Sequence, residues 1–342
     1  MADLPIYGIY YLNRLIRRIV PRPQFFLDTF FPTVVESEKE EIYFDEVPGQ
    51  KVGIAPFVHP LVEAPMFREQ GYRTNSLKPA YIKEKAGITP DRGFVRMAGE
   101  DFGGELTPIQ RSQLLLARDT TRLQQRWRNR LELMAAEVVK TGKLTIKGEG
   151  IDAIVNYERA ASLTKRLTGD KAWTNKTLNM RQFFEGIARE MADLNLTQQR
   201  PTDVIMHPSA YDLYEDNEQV QKYLSTQLRG VDMELNVTPG TISFDNLVYK
   251  GRFGNMRLWT YEGKSDDGRY YIDTNQALFF CRDIQGVQFY GAIRDLSAGL
   301  RAQRVFLKSW EVEEPSQRLV LLQSAPILAT FDPNTACLVT VA

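Results

Sequence analysis

Between Thr107 and Gly142 the chain is built to form one uninterrupted helix, and a helix of that length dictates the architecture around it. Thr107-Pro108 offers a hydroxyl N-cap with proline at the first helical position. Helix-favouring residues run on to Lys140, and Gly142 stands where a C-terminal cap belongs. About 33 residues rising 1.5 Å each give a rod of roughly 50 Å. That far exceeds the usual three turns, so the segment is expected to act as a spine. Leu114, Ala117, Thr121, Trp127, Leu131, Met134 and Val138 trace one face at steps of three and four, with Gln124 the weak link.

Another face carries Arg118, Arg122, Arg126 and Arg130 at four-residue steps, with Arg111 and Arg128 nearby and Asp119 the sole acid between Arg111 and Arg130. Two readings stand side by side. The stripe is a solvated face, or it is a surface that meets acidic partner segments or nucleic acid. The run Glu36, Glu38, Glu40, Glu41, Asp45, Glu46 is a candidate partner, within a chain or between chains.

The segment before the rod behaves differently. From Pro21 to Gly104 prolines and glycines punctuate short strand-like pieces such as Glu41-Ile42-Tyr43-Phe44 and Gly53 to Val58. Such a stretch cannot readily close a core of its own, and a long excursion of this kind is normally functional or evidence of a partner. It is expected to form an extended arm followed by a long β-hairpin, with Lys78, Lys83, Glu84 and Lys85 on the first hairpin strand. Deleting Gln70 to Ala98 is therefore expected to leave the remainder folded. Met1 to Pro21 is aromatic and then basic, the reverse of a secretory signal, and reads as an amphipathic arm. No apolar run approaches the ~20 residues that span a bilayer.

Beyond the rod, strands and helices mix without regular alternation, an α+β pattern. A hairpin is expected from Lys143 to Tyr157 around Gly148-Glu149-Gly150, and a helix over Asn179 to Leu194 with Phe184, Ile187, Met191 and Leu194 on one face. Asp203 to Met206 reads as a buried strand, followed by a short helix after Pro208 and another around Gln219 to Leu228. Further strands are expected at Ser243 to Tyr249, Met256 to Tyr261, Tyr270 to Asp273, Ala277 to Cys281, Val287 to Tyr290 and Arg318 to Gln323. The last carries four consecutive apolar residues, so both its faces should be covered.

Little here points to catalysis. Gly148-Glu149-Gly150-Ile151-Asp152-Ala153 matches a dinucleotide fingerprint by letters, but Ile154 to Tyr157 reads as a strand rather than the helix whose amides would meet a pyrophosphate. Gly263-Lys264-Ser265 lacks the glycine that a P-loop needs five residues earlier, where Leu258 stands. The two histidines, His59 and His207, each precede a proline and are expected to be structural and partly exposed. The two cysteines, Cys281 and Cys337, read as buried thiols of a reducing compartment. No carboxylate pair stands out as acid and base, so catalytic, cofactor and metal residues are none. Lys+Arg and Asp+Glu are both 43 in the 342 residues; a dedicated nucleic-acid binder would show a basic excess. That balance suits a subunit packing against copies of itself, because long-range self-repulsion is small.

Several runs keep a shared order that is similar to one family. Phe25-Phe26-Leu27-Asp28-Thr29-Phe30-Phe31-Pro32, Ile42 to Gly49, Ala55 to Val62, Lys78-Pro79-Ala80-Tyr81-Ile82-Lys83, Gln323-Ser324-Ala325-Pro326 and Asp332-Pro333 resemble lambda-type tailed-phage major capsid proteins. The resemblance covers about Pro21 to Ala342 and is weakest between Lys165 and Asp203. It implies the Hong Kong 97-like α+β fold in four parts. These are an N-terminal arm (1–50), an extended loop (51–106), a peripheral domain (107–157 and 313–331) and an axial domain (158–312 and 332–342). It also implies a non-enzymatic shell subunit that forms hexamers and pentamers around phage double-stranded DNA, held non-specifically. Scaffolding protein, portal protein and a trimeric decoration protein are the implied partners, with no membrane. The implied place is the virion, after assembly in the host bacterial cytoplasm. Some relatives cross-link loop lysines to asparagines; Lys78, Lys83 and Lys85 read as ordinary solvated lysines. Arg118, Arg122, Arg126, Phe25, Phe26, Lys78 and Lys83 are the candidate assembly contacts. Two rivals are another phage structural protein such as a tail-tube subunit, which a 50 Å rod disfavours, and a cytoplasmic enzyme with a carboxylate site.

Overall fold

The computed structural model describes residues 12–13, 24–39, 41–46, 73–77, 79–95, 106–148, 151–227, 246–265, 267–282, 284, 286–314 and 316–342. A short helix α1 (Phe25–Phe30) opens the arm and leads into strand β1 (Thr33–Glu36). Then come β2 (Ile42–Glu46), β3 (Arg73–Leu77), β4 (Ile82–Ile88), the one-turn α2 (Asp91–Phe94) and the rod α3 (Pro108–Thr141). The hairpin β5 (Lys143–Gly148) and β6 (Ile151–Asn156) comes next, then β7 (Thr164–Arg166), α4 (Met180–Leu194), β8 (Asp203–Met206), α5 (Pro208–Glu215) and α6 (Glu218–Gln227). The further strands are β9 (Leu247–Phe253), β10 (Met256–Tyr261), β11 (Gln276–Phe280), β12 (Gly286–Tyr290), β13 (Phe306–Val312), β14 (Gln317–Ser324), β15 (Pro326–Thr330) and β16 (Ala336–Thr340).

The rod is 34 residues long and is fastened at both ends. Thr107 and Gln110 form a reciprocal capping box, each side chain accepting the other's amide, which satisfies donors the first turn leaves free. At the far end Gly142 adopts φ +66, and a Cβ there would stand 2.5 Å from Cβ of Arg159. Arg159 comes that close because its guanidinium donates to the carbonyls of Val139 and Lys140 at 3.0 and 2.6 Å, capping the last turn. Burial lowers this guanidinium to about 10.

A six-stranded sheet ordered β7-β16-β11-β8-β10-β9 forms a wall between two cores. Neighbouring residues on its central strands point to opposite sides, as the two-residue period of a strand requires. Ile205, Leu278 and Leu338, aligned across the ladder, join the core that contains the rod. Val204, Met206, Phe279, Cys337 and Val339 join the other, where Phe184, Ile187 and Met191 of α4 meet Tyr211 and Tyr214 of α5. Both faces being covered explains why β8 is buried at all four positions.

On the rod's side, two three-stranded sheets complete the first core: β1-β12-β15, and β13-β14-β4. Sheet side chains from Val287 to Tyr290 and Ile327 to Ala329 pack with Leu116, Leu123, Trp127 and Leu131 of the rod. Among the described residues the chain thus buries two large apolar cores, as its length leads one to expect, beside a small cluster of Ile293, Ala298 and Phe306.

Several expectations are corrected. The rod's inward face starts one turn differently: Leu115, Leu116, Thr120 and Leu123 are buried, while Leu114 and Thr121 are exposed, and the expected set joins the core only from Trp127 onward. Gln124 is buried, so the weak link is part of the buried face. Of the expected long hairpin, residues 51–72, 78 and 96–105 lie outside the described residues. Strand β4 pairs along its whole length with β14, more than 200 residues away in sequence, and β3 pairs with β2 of the arm. Lys83, Glu84 and Lys85 therefore lie on a sheet strand, and deleting Gln70 to Ala98 would strip β14 of a neighbour. Lys78, His59 and the Ala55 to Val62 run lie outside the described residues.

Tyr270 to Asp273 makes only a single bridge, Lys264 to Tyr270, rather than a strand. The N-cap at Asn179 and the face of Phe184, Ile187 and Met191 are as expected, but Leu194 is exposed. His207 is buried, accepting the Ser209 amide on Nδ1 as the N-cap of α5, with Tyr270 packed edge-on 4.6 Å away. Desolvation lowers its pKa. Helix α1 and strand β13 had no expectation at all.

Candidate assembly surfaces and the seat of the arm

The aromatic run of the arm folds inward. Phe25, Phe26, Leu27, Phe30 and Phe31 are each at most 5% exposed. Phe26 lies between Phe25, Phe30, Tyr261 and Tyr271, with ring centroids 5.1 to 6.2 Å apart, and Phe30 meets Phe280 edge-on at 5.0 Å. Phe25 and Phe26, expected at contacts between subunits, are instead packed in the subunit's own core. Burying the apolar area of four phenylalanines within seven residues is favourable, and the rod together with Tyr261, Tyr271 and Phe280 covers it.

Polar groups fix the angle of this docking. Glu132 of α3, 2% exposed, accepts the amides of Phe26 and Leu27, both at 2.8 Å. One turn earlier Arg128 reaches both oxygens of Asp28 at 3.0 Å. Asp28 also accepts the Gln24 amide at 2.8 Å, and Gln24 Nε2 donates to Asn129 at 3.0 Å. Beyond α1, β1 joins β12 in parallel with all four residues exposed, so the arm's inward and outward halves are distinct.

The arginine stripe is split in the same way. Arg118, Arg122, Arg126 and Arg130 are exposed, whereas Arg128 is turned inward. Arg126 pairs with Glu84 on β4 while staying 67% exposed, and Arg92 pairs with the buried Asp119 at 2.9 Å. The rod thus meets an acid of the arm at Asp28, within the aromatic run. Lys83, exposed on β4, stands 5.1 Å over the Tyr81 ring. At the rod's start Phe94 and Ile109 are 72% and 69% exposed, an apolar surface that the sequence reading did not single out. Ile109 beside Pro108 in a first helical turn was the available signal.

The C-terminal signature residues act as fasteners. Gln323 donates to Asp295 at 2.7 Å, and the Ser324 hydroxyl donates to the Arg304 carbonyl at 2.6 Å. Asp332 accepts the amides of Leu196 and Asn334 at 2.8 and 3.0 Å. Burial raises the Asp332 carboxyl in spite of those two amides.

A depression of about 310 Å³ is lined by Glu38, Lys39, Tyr81 and Arg294 among others, and neither raised carboxyl, Glu132 or Asp332, lines it. Both cysteines are free and buried, and desolvation pushes each thiol up to about 12, which keeps it protonated and unreactive. Among the described residues no group of three or more His, Cys, Asp or Glu could hold a metal ion, and no helix is long and apolar enough to cross a membrane.

A family model described as phage major capsid protein E matches residues 9–341. The chain belongs to that family. Among curated relatives, the family's major capsid protein from Enterobacteria phage phi80 is 25% identical over 317 residues, covering 90% of this chain and 91% of the relative. That of Escherichia phage lambda is 24% identical over 321 residues, with the same shares. Among solved structures, a capsid protein of a prophage of Escherichia coli CFT073 superposes with a TM-score of 0.70 at 22% identity, covering 97% of both chains. Its fold is therefore the Hong Kong 97-like capsid fold, and the role that goes with family and fold is structural, the forming of a capsid.

Proposed function

We propose that the chain is the shell subunit of a tailed-phage head, assembling as hexamers and pentamers that close an icosahedral capsid around double-stranded DNA. The observation that carries this reading is the family match across residues 9–341, which runs through arm, rod and both cores rather than through one module. In this reading residues 1–50 are the arm, 51–106 the extended loop, 107–157 and 313–331 the peripheral domain, and 158–312 and 332–342 the axial domain. Two cores on opposite sides of one sheet fit a body of two parts, with the rod's core also drawing in β12 and β13 from within 158–312. Many weak contacts made at once give a shell its strength by avidity. Exposed Arg118, Arg122 and Arg126, Lys83 and the surface at Phe94 and Ile109 are the contacts proposed here, with Lys78 retained from the loop. Scaffolding protein, portal protein, a trimeric decoration protein and non-specifically held DNA are the proposed partners. Assembly takes place in the host cytoplasm, the product is the virion shell, and no catalysis is involved.

Negative-stain microscopy of the expressed chain, alone and with a candidate scaffolding protein, tests the proposal. Capsomers or closed shells are expected. Rings that stack into open tubes would favour a tail-tube subunit, and a persistent monomer at high concentration with scaffold present would refute the shell role.

A further inference from the structure

The loop between β12 and β13 carries apolar side chains that the described residues leave uncovered: Leu296 is 88% exposed and Leu300 55%. The loop that holds them is stiff. An isolated bridge joins Ala292 to Ala302, and the Ile293 amide donates to the Arg301 carbonyl at 3.0 Å. Asp295 accepts the Ser297 amide at 3.0 Å and the Gln323 side-chain amide at 2.7 Å, and it pairs with Lys308 of β13. Ile293, Ala298 and Phe306 close a small core of their own at the loop's base. Gly299 and Leu300 both take left-handed backbone, at φ +67 and +56, a conformation that a leucine rarely adopts. Strain of this kind persists only where the surroundings impose it, and it gathers at binding sites. Leu296 is thus a preorganised knob, and seating it costs little further ordering.

A hole lies beside the knob. The depression of about 310 Å³ has Pro79, Ala292, Leu300 and Ala325 as apolar lining and Glu38, Lys39 and Arg294 as charged lining. The Tyr81 hydroxyl ties it together, donating to the Ala292 carbonyl at 3.1 Å and accepting the Arg294 amide. Arg294 and Leu300 flank Leu296 in the same loop, so knob and hole share one patch. A cavity of about 150 Å³ takes a benzene ring, so this one admits a leucine side chain.

We propose that this patch is a self-complementary contact between two copies of the chain related by a twofold axis, with Leu296 of each seated in the other's depression. The proposal rests on the shell reading above and adds to it the symmetry and the residues of one contact. A surface that carries both knob and hole satisfies itself twice when a second copy is turned through half a turn, which is the property of an isologous contact. The charges obey the same rule. Glu38 lines the depression together with Lys39 and Arg294, so the turned copy can set acid against base on both sides. A lining of one sign would repel its twin and point to a different partner. Withdrawing one leucine from water favours association about tenfold to a hundredfold, and the axis supplies two leucines to each contact. Contacts around a ring of subunits are head-to-tail, so a twofold contact joins one ring to the next.

Cysteine cross-linking within assembled shells tests the contact. L296C and A292C chains each add one accessible thiol, since Cys281 and Cys337 are buried. Assembled together in equal amounts and oxidised, they should give a covalent dimer on a non-reducing gel, at most about half of the chains because half of the twofold pairs are mixed. Shells of either variant alone should stay monomeric on the same gel. Mixed shells without the dimer overturn the proposal and leave the shell role standing, the outcome expected if scaffold or another protein fills the depression. Absence of any particle from the wild-type chain with scaffold present removes the shell role and this contact with it. L296D supplies a second reading. Its urea midpoint should match wild type, because the side chain is exposed, while capsomers accumulate unjoined and shell yield falls at least about tenfold. Wild-type shell yield from L296D overturns the proposal as well.

Discussion

Replacing Phe26 by alanine separates an arm that belongs to its own subunit from an arm that exists for its neighbours. The side chain is 0% exposed and is enclosed by Phe25, Phe30, Tyr261 and Tyr271. A buried phenylalanine cut to alanine costs about 3–5 kcal/mol, the spread reflecting how far the site can collapse. Collapse is restricted here, because the Phe26 amide is held by Glu132 at 2.8 Å and its helix is anchored by Asp28 and Arg128. Aromatic pairs add about 0.5–1.5 kcal/mol beyond their area, so the loss should fall in the upper half of that range. Equilibrium urea unfolding of the unassembled chain measures it, following tryptophan emission, since Trp127 lies in the same core. Val35 to alanine, 38% exposed on β1, is the control and should stay within about 0.5 kcal/mol of wild type. A wild-type midpoint for F26A together with failure to form shells would refute the reasoning and return Phe26 to a contact between subunits.

Gly286 should not tolerate even alanine, because an added Cβ would stand 2.1 Å from the Phe30 carbonyl oxygen; a loss of about 1–3 kcal/mol is expected in thermal unfolding. Asp203 is held below the usual carboxylate range: burial opposes this, but bonds from Thr202, Arg257, Trp259 and Arg282 outweigh it. Its contribution is present above 3.8 and is lost as the pH falls through the lowered value, so the stability gap between wild type and D203N should narrow in acid denaturation below about pH 4. Reversing Arg118 and Arg122 to glutamate should leave urea stability within about 0.5 kcal/mol per site while lowering shell yield in microscopy. Normal yield would leave the stripe as solvated surface.

The rod was legible in the sequence because its signals are local. A capping residue, a proline, a C-terminal glycine and the spacing of Trp127, Leu131, Met134 and Val138 all lie within one element. The hairpin after it, the α4 face and the strand at Asp203 were legible for the same reason. The order of aromatic and C-terminal motifs carried the family. The rod's first inward turns were misplaced because Leu114, Leu115 and Leu116 are adjacent, so local pattern alone does not choose which of them faces a core.

What the sequence by itself determined is therefore the inventory: one long rod, its caps, an α+β remainder and an aromatic arm without a core of its own. Tertiary structure alone decided who covers whom. The pairing of β4 with β14, the wall set between two cores and the inward turn of Phe25 and Phe26 all join residues far apart along the chain. The physical reason is that the hydrophobic effect rewards any covering of apolar area and names no partner for it. The partner is selected by register and by the few polar groups, Glu132 and Arg128 among them, that must find their match once water is gone.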